Sequence, residues 1–266
     1  MTSSLPYIGT YKREIPVSVE RLYENTLDWE HLPYLHRSSF ARIECIRSDS
    51  SGFRAWVWPQ RRSDPFLLEL TLDRQLQRWI SRTMEGPGEG TEIWTHAFPV
   101  GERRTEVLVD FFVPGILKER VASTCDFYTR LYTRLYDEDV WMMTVRQARL
   151  DDIRRKDHRT APERVSLGSL IEVRARLPLV VEIAGAKFKV VEVGNKLLAY
   201  STVCPHKLGP LEDGEVAAGI VECPWHGYRF DLRTRECLRG QRCSLASAPA
   251  IKVDHTEVIA EWIRAE

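Results

Sequence analysis

The sequence predicts an α+β chain of two domains, and three observations lead there. Turn-punctuated segments with strand patterning run from Phe40 to Pro114, and apolar residues at helical spacing follow from Val121 to Val145. A charged stretch, Ile153 to Glu163, closes on Ala161-Pro162 and reads as a solvated linker. Beyond it come short strands separated by Gly/Asn turns. The expected organisation is residues 1–152 as a sheet-and-helix domain, 153–164 as the linker and 165–266 as an all-β domain.

Tyr11 to Val17 reads as a strand that ends near Pro16. Ser18 then caps a helix whose apolar stripe is Val19, Leu22, Tyr23 and Leu27, with Pro33 expected to kink or end it. Five strands are expected at Arg54–Trp58, Phe66–Leu72, Gln77–Thr83, Glu92–Phe98 and Glu106–Val113. Their short connections imply an antiparallel meander. Leu68, Leu70 and Leu72 alternate with Glu69, Thr71 and Asp73, giving one buried and one wet face. A long helix on Val121, Cys125, Tyr128, Leu131, Tyr132, Leu135, Met142 and Val145 closes the domain near Ala148 to Asp152. Strand, helix, meander and closing helix is the element order of a helix-grip (START-like) domain, a sheet wrapped around one helix, and the assignment rests partly on that analogy. A pocket is expected between sheet and helix, with Trp56, Trp58, Trp79, Trp94, Phe98, Phe111 and Tyr132 as candidate lining. In the second domain, strands are expected at Ile171–Arg174, Val180–Ile183, Phe188–Glu192 and Leu197–Ser201, with Val253 to Trp262 supplying the closing strands.

Charge is balanced, 38 basic against 38 acidic residues, which argues against nucleic acid or an anionic membrane as partner. No apolar run approaches the ~20 residues of a membrane span, and the N-terminus lacks a secretory pattern. Six cysteines in 266 residues are no disulfide scaffold. Cys45, Cys125, Cys237 and Cys243 are expected as free thiols in a reducing compartment, with the cytoplasm as default.

The chemistry concentrates in Cys204-Pro205-His206 and Cys223-Pro224-Trp225-His226, separated by the sixteen residues Lys207 to Glu222. Each half offers one thiolate and one imidazole in a Pro-stiffened turn. Two thiolates on one iron and two imidazoles on the other is the ligand set of a Rieske [2Fe–2S] centre; neutral imidazoles lower the cluster's negative charge and make it accept an electron more readily. A Cys2His2 zinc site uses the same ligand types, but its usual order is a Cys pair followed by a His pair. The flanks Leu208-Gly209-Pro210-Leu211 and Gly227-Tyr228-Arg229-Phe230-Asp231 resemble the Rieske family, over roughly Val165 to Arg264. Pro210 and Trp225 stand where the Rieske proteins of respiratory complexes carry an extra Cys pair, so the resemblance is to the oxygenase or ferredoxin type.

A second site is suggested by Asn25, Asp28, His31 and His36. His31 and His36 are five apart, the wrong offset for one metal on a straight helix, but Pro33 bends the chain between them. The run resembles the iron-ligand segment of Rieske non-heme iron oxygenases, here in reversed domain order with the catalytic part first. That resemblance implies His31 and His36 as ligands of a mononuclear Fe(II), Asp28 as the carboxylate bridging toward a Rieske histidine, and Asn25 as a supporting residue. A 2-His-1-carboxylate triad needs one carboxylate more. Asp139 is the candidate, because it falls on the apolar stripe between Leu135 and Met142, with Asp137 as the alternative. Asp137 and Glu138, about 200° and 100° around the helix, can face water. Asp137-Glu138-Asp139 with Gln147 beyond also resembles the family's third-ligand helix.

The resemblance implies an oxygenase. An NAD(P)H-dependent reductase or ferredoxin would feed the [2Fe–2S] cluster, which would reduce the mononuclear iron for O2 chemistry on an apolar or aromatic small molecule. The Asn-x2-Asp-x2-His spacing looks more like the monooxygenase and demethylase branch than the dihydroxylating one. A two- or threefold homo-oligomer is expected, with electron transfer within or between subunits left open. The rival is a Rieske electron carrier fused to a ligand-binding helix-grip domain with no second iron; a third reading is a redox-sensing regulator.

Overall fold

Turn chemistry sets the first sheet. The Asp49 carboxylate accepts from Ser51 N–H at 2.7 Å, and the Asp73 carboxylate accepts from Gln75 and Leu76 N–H, both at 3.0 Å. Asp side chains stabilise tight turns in this way. The two turns belong to a set of seven strands, β1 (Tyr7–Ile15), β2 (Phe40–Asp49), β3 (Gly52–Pro59), β4 (Phe66–Asp73), β5 (Arg78–Glu85), β6 (Glu92–Gly101) and β7 (Arg104–Phe112), and join β2 to β3 and β4 to β5. They form one antiparallel sheet in the order β1-β7-β6-β5-β4-β3-β2. Between β1 and β2 lie α1 (Val19–Thr26), a 3-10 turn (Trp29–His31) and α2 (Leu32–Leu35). After β7 comes α3 (Val121–Arg155). The computed structural model describes residues 6–61, 64–155, 163–240 and 242–262. It divides into two units, Met1–Gln147 and Ala148–Glu266.

The core of the first unit lies between α3 and one face of the sheet. Phe53, Ala55, Leu70, Leu72, Trp79, Ile93, Ala97, Val107, Val109 and Phe111 meet Tyr136 and Met143, with Cys125, Tyr128, Tyr132 and Val140 packed against them. A Cβ at Gly9 would collide with Cys125 Sγ, so a glycine there lets α3 approach the edge of the sheet. The helix-grip architecture expected from element order is therefore present. The inward stripe is rotated from the expected one: Leu131 and Leu135 are outside the core cluster, and Tyr136, Val140 and Met143 take their place. Phe127, Leu131 and Trp141 spread apolar residues around α3, so periodicity could not single out one face.

Two further expectations are corrected. Trp56 and Trp58 alternate with buried Ala55 and Val57 along β3, and Trp94 and Phe98 alternate with buried Ile93, Thr95 and Ala97 along β6. Successive strand residues point to opposite faces, so these four aromatic rings lie away from α3 and line no interior pocket. Arg42 covers Trp58 and Arg78 covers Trp94, each 4.6 Å from the ring centroid. Trp79, Phe111 and Tyr132 do face the core. The other correction is β2, which was not expected as a strand. Its burial is irregular and its pairing with β3 shifts register twice, so alternation is lost at this edge.

The second unit is built from β8 (Arg164–Ser169), α4 (Leu170–Ala175), β9 (Leu179–Ile183), β10 (Ala186–Val193), β11 (Lys196–Ser201), β12 (Glu215–Ala217), β13 (Ile220–Glu222), β14 (Arg229–Asp231), β15 (Ala250–Asp254) and β16 (Glu257–Glu261). Three antiparallel sheets result, β11-β10-β9, β12-β13-β14 and β15-β16-β8. The expected strand Ile171–Arg174 is instead the helix α4. Ser169 Oγ accepts from Glu172 N–H at 3.3 Å while Glu172 accepts from Ser169 N–H at 3.0 Å. That reciprocal capping box starts a helix where apolar alternation alone suggested a strand. Of the expected linker 153–164, residues 153–155 continue α3 and Arg164 opens β8, while 156–162 lie outside the described residues. No helix among the described residues is long and apolar enough to cross a membrane.

Candidate metal centres

The first centre is assembled from three elements. Ser18 accepts from Arg21 N–H at 3.3 Å and starts α1, which carries Asn25 in its last turn. The helix ends before Asp28, so Pro33 does not break it. Pro33 instead occupies the first turn of α2, where its missing N–H costs nothing. His31 and His36 flank this four-residue helix, which resolves the unfavourable five-residue offset. Both imidazoles are buried, at 4% and 1% exposure. Asp139 arrives from α3, over 100 residues later in the chain.

His31 Nε2 lies 3.2 Å from His36 Nε2 and 3.5 Å from Asp139 Oδ1, and His36 Nε2 lies 3.1 Å from the same oxygen. Two donors each about 2.1 Å from one ion are about 3.0 Å apart at a right angle and about 3.4 Å apart at the tetrahedral angle. The three separations thus fit one face of a single ion's coordination shell. Asn25 Nδ2 donates to Asp139 Oδ1 at 3.1 Å. Asp137 instead pairs with Arg13 at 2.6 Å, on a more exposed side of α3. Gln147 accepts from the Arg21 guanidinium of α1. Asp28 stands half-buried in the turn between α1 and His31 and is not one of the three converging groups.

Glu138, expected to face water, is 2.6 Å from His36 Nδ1. A carboxylate on the far nitrogen of a ligating imidazole fixes its tautomer and aims the near nitrogen. The signal was a carboxylate adjacent to the candidate ligand on α3, but only packing shows which histidine it reaches. Burial would lower the pKa of His36, yet the charges of and hydrogen bonds to Asp139 and Glu138 outweigh it and raise the value to about 9. Burial alone would raise Asp139, but His36, His31 and Asn25 hold its carboxyl below the usual range. Nearby, burial pushes the Tyr132 and Tyr136 phenols up, with the Asp139 charge adding to it, so both hydroxyls keep their protons.

The second centre is built from two loops of one design. Cys204 N–H donates to Gly209 O at 2.8 Å, and Cys223 N–H donates to Tyr228 O at 2.9 Å, so each ligand cysteine opens a turn closed five residues later. Lys207 and Leu208 take positive φ values of 50° and 62° in the first turn. A Cβ at Gly209 would fall 2.8 Å from Cys223 Sγ and 3.1 Å from the Trp225 ring, so the loops approach one another only because that position has no side chain. The thiols sit together and the imidazoles sit together. Cys204 and Cys223 share a hydrogen bond that keeps the proton on Cys204 and favours thiolate on Cys223, while burial pushes both up. The His206 and His226 rings are edge-to-face with centroids 4.6 Å apart. Tyr228 stacks on His206 at 4.1 Å. Each iron of a [2Fe–2S] cluster would take one ligand from each loop, which is the donor arrangement these residues present.

A model of the Rieske [2Fe-2S] domain matches residues 163–249. This segment is a Rieske domain. The match supports a [2Fe–2S] cluster with an electron-transfer role, and the four candidate ligands Cys204, His206, Cys223 and His226 lie within the matched residues. Among solved structures, the Rieske end of the chain is similar to the ferredoxin of carbazole 1,9a-dioxygenase from Nocardioides aromaticivorans IC177, with 28% identity over 37% of this chain and 96% of that one, TM-score 0.33. A START superfamily protein from Mycobacterium smegmatis matches at 16% identity over 50% of this chain and 94% of that one, TM-score 0.42. The ZhuI aromatase/cyclase from Streptomyces sp. R1128 matches at 9% identity over 52% and 93%, TM-score 0.42. No curated protein matches the chain.

Proposed function

We propose that this chain is a Rieske-type oxygenase, using O2 and electrons from an NAD(P)H-dependent reductase or ferredoxin to hydroxylate or demethylate an apolar or aromatic small molecule. The observation that carries the reading is the convergence of His31, His36 and Asp139 within coordination distance of one point, from elements more than 100 residues apart. Buried imidazoles and a carboxylate gathered this tightly are costly unless paired or bound to metal. A triad of this composition leaves open positions on one side, as non-heme Fe(II) sites require. Bound in place, the cluster would pass single electrons and the ferrous ion would activate dioxygen beside the substrate.

The chain's own residues would do the rest. Glu138 orients His36, and Asn25 holds Asp139 Oδ1. Asp28 keeps its proposed part as a hydrogen-bonding carboxylate on the electron's route, within one chain or between copies of a homo-oligomer. The Asn25, Asp28, His31 run resembles the monooxygenase and demethylase branch of the family more than the dihydroxylating one, and monooxygenation is proposed on that resemblance. Iron and acid-labile sulfide analysis tests the reading. An oxygenase carries three irons per two sulfides, an electron carrier two. His31→Ala is expected to abolish substrate-stimulated oxygen consumption and leave the visible cluster spectrum intact; unchanged turnover in that variant would remove the catalytic claim.

A further inference from the structure

Two sheets of the second unit, β11-β10-β9 and β15-β16-β8, each end in an edge strand, and both edge strands, β11 and β15, line one cavity of about 600 Å³. That volume falls within the range of small-molecule sites. Part of the lining is apolar and continuous with the core of the unit. Leu197 belongs to the cluster around Val173, Val190 and Val258, and Leu170, Ala199 and Ile251 pack on that cluster yet stay only half-buried where they meet the cavity. Buried Leu232 adds to the same lining.

The other part of the lining is cationic. Arg174 comes from α4, Lys196 from the start of β11, and Arg233 and Arg235 from the turn after β14. No Asp or Glu is among the described residues that line the cavity. Arg174 has a partner outside it, Glu192 at 2.7 Å. Asp231, beside Arg233, accepts from the backbone N–H groups of Arg233 and Thr234 at 2.7 and 2.9 Å. Four cations brought to one cavity from three segments repel one another and favour an anion that joins them. Two of the guanidinium groups are also seated. A Cβ at Gly219 would fall 2.7 Å from Arg233 Nη1, so that side chain lies against a glycine, and Arg235 Nη1 donates to Ser247 Oγ at 2.9 Å. Donors already held in place lose less freedom when a ligand arrives.

We propose that this cavity binds a small anionic amphiphile, with its carboxylate or phosphate head on Lys196, Arg233 and Arg235 and its short apolar body against Leu197, Leu232 and Ile251. Guanidinium forks match the paired oxygens of carboxylate and phosphate. Each half of the site is weak alone. A bare inorganic anion meets charges screened by solvent, and a neutral chain leaves the cations unmatched. The site uses neither metal centre, so its test stands apart from the oxygenase reading.

The experiment uses the full chain with its cluster. Equilibrium dialysis compares decanoate, decyl phosphate, decanol and inorganic phosphate. Decanoate or decyl phosphate should bind, the tighter of the two identifying the head group, with decanol and inorganic phosphate at least about tenfold weaker. Shortening decanoate to octanoate removes two methylenes and should weaken binding by up to about fifteenfold. A decanoate carrying a terminal diazirine should label residues 195–199 or 248–253 on photolysis, and free decanoate should compete the label away. Lys196→Glu and Arg233→Glu should each weaken decanoate binding about tenfold while the visible cluster spectrum stays unchanged. Label confined to residues 1–147, decanol binding as tightly as decanoate, or an affinity unmoved by both charge reversals would overturn the proposal. Should a variant fail to take up its cluster, the labelled peptides of the wild-type chain decide.

Discussion

The two candidate metal centres of this chain are built on opposite principles. The candidate Rieske ligands fall within 23 residues, Cys204 to His226, and each pair is shaped by its own loop through a single recurring backbone bond. The His31, His36 and Asp139 site joins a short helix near the start of the chain to α3, and nothing local brings those groups together. A centre of the first kind can survive damage to the rest of the fold. One of the second kind exists only while α1, α2 and α3 keep their mutual packing.

Substitutions can sharpen or break that contrast. The largest effect is expected from Cys204→Ser, which should abolish the visible cluster spectrum and both sulfides while the first unit still binds one metal ion; loss of that ion too, read by metal analysis, would show the centres to be interdependent. Asp139→Ala removes the single carboxylate of the triad, and should lose that ion and all oxygen-consuming turnover with the cluster spectrum intact. Glu138→Gln keeps the volume but weakens the acceptor on His36 Nδ1; metal affinity, measured by competition with a chelator, should fall by roughly 10–100-fold. Asn25→Ala removes one donor to Asp139 Oδ1 and should cost about 1 kcal/mol in ion retention, a several-fold weaker affinity. Were Asn25→Ala more damaging than Glu138→Gln, orientation of the carboxylate rather than of the imidazole would be the controlling contact.

How far each region could be read in advance follows the same division. Strands β3 to β7 announce themselves through alternation and turn residues, and Ser18 marks the start of α1. Strand β2 does not, because an exposed edge with shifted register has no regular inward face. Ile171–Arg174 looks like a strand by composition, yet Ser169 and Glu172, three apart, carry a helix-start signal that outweighs it. Trp56, Trp58, Trp94 and Phe98 were drawn toward the core by their size. Strand parity sends them to the other face, where Arg42 and Arg78 cover two of them.

The amino-acid order by itself determined the Rieske domain and the two Cys/His turns it carries, because turns of a few residues are governed by the conformations of those residues alone. It also determined that the first half is a meander closed by a helix, since periodicity is a local property. Only the tertiary structure decided that Asp139 and not Asp137 faces the histidines, and that Glu138 reaches His36. Both outcomes depend on the rotation of α3 against a distant neighbour, which is set by the packing of the whole core.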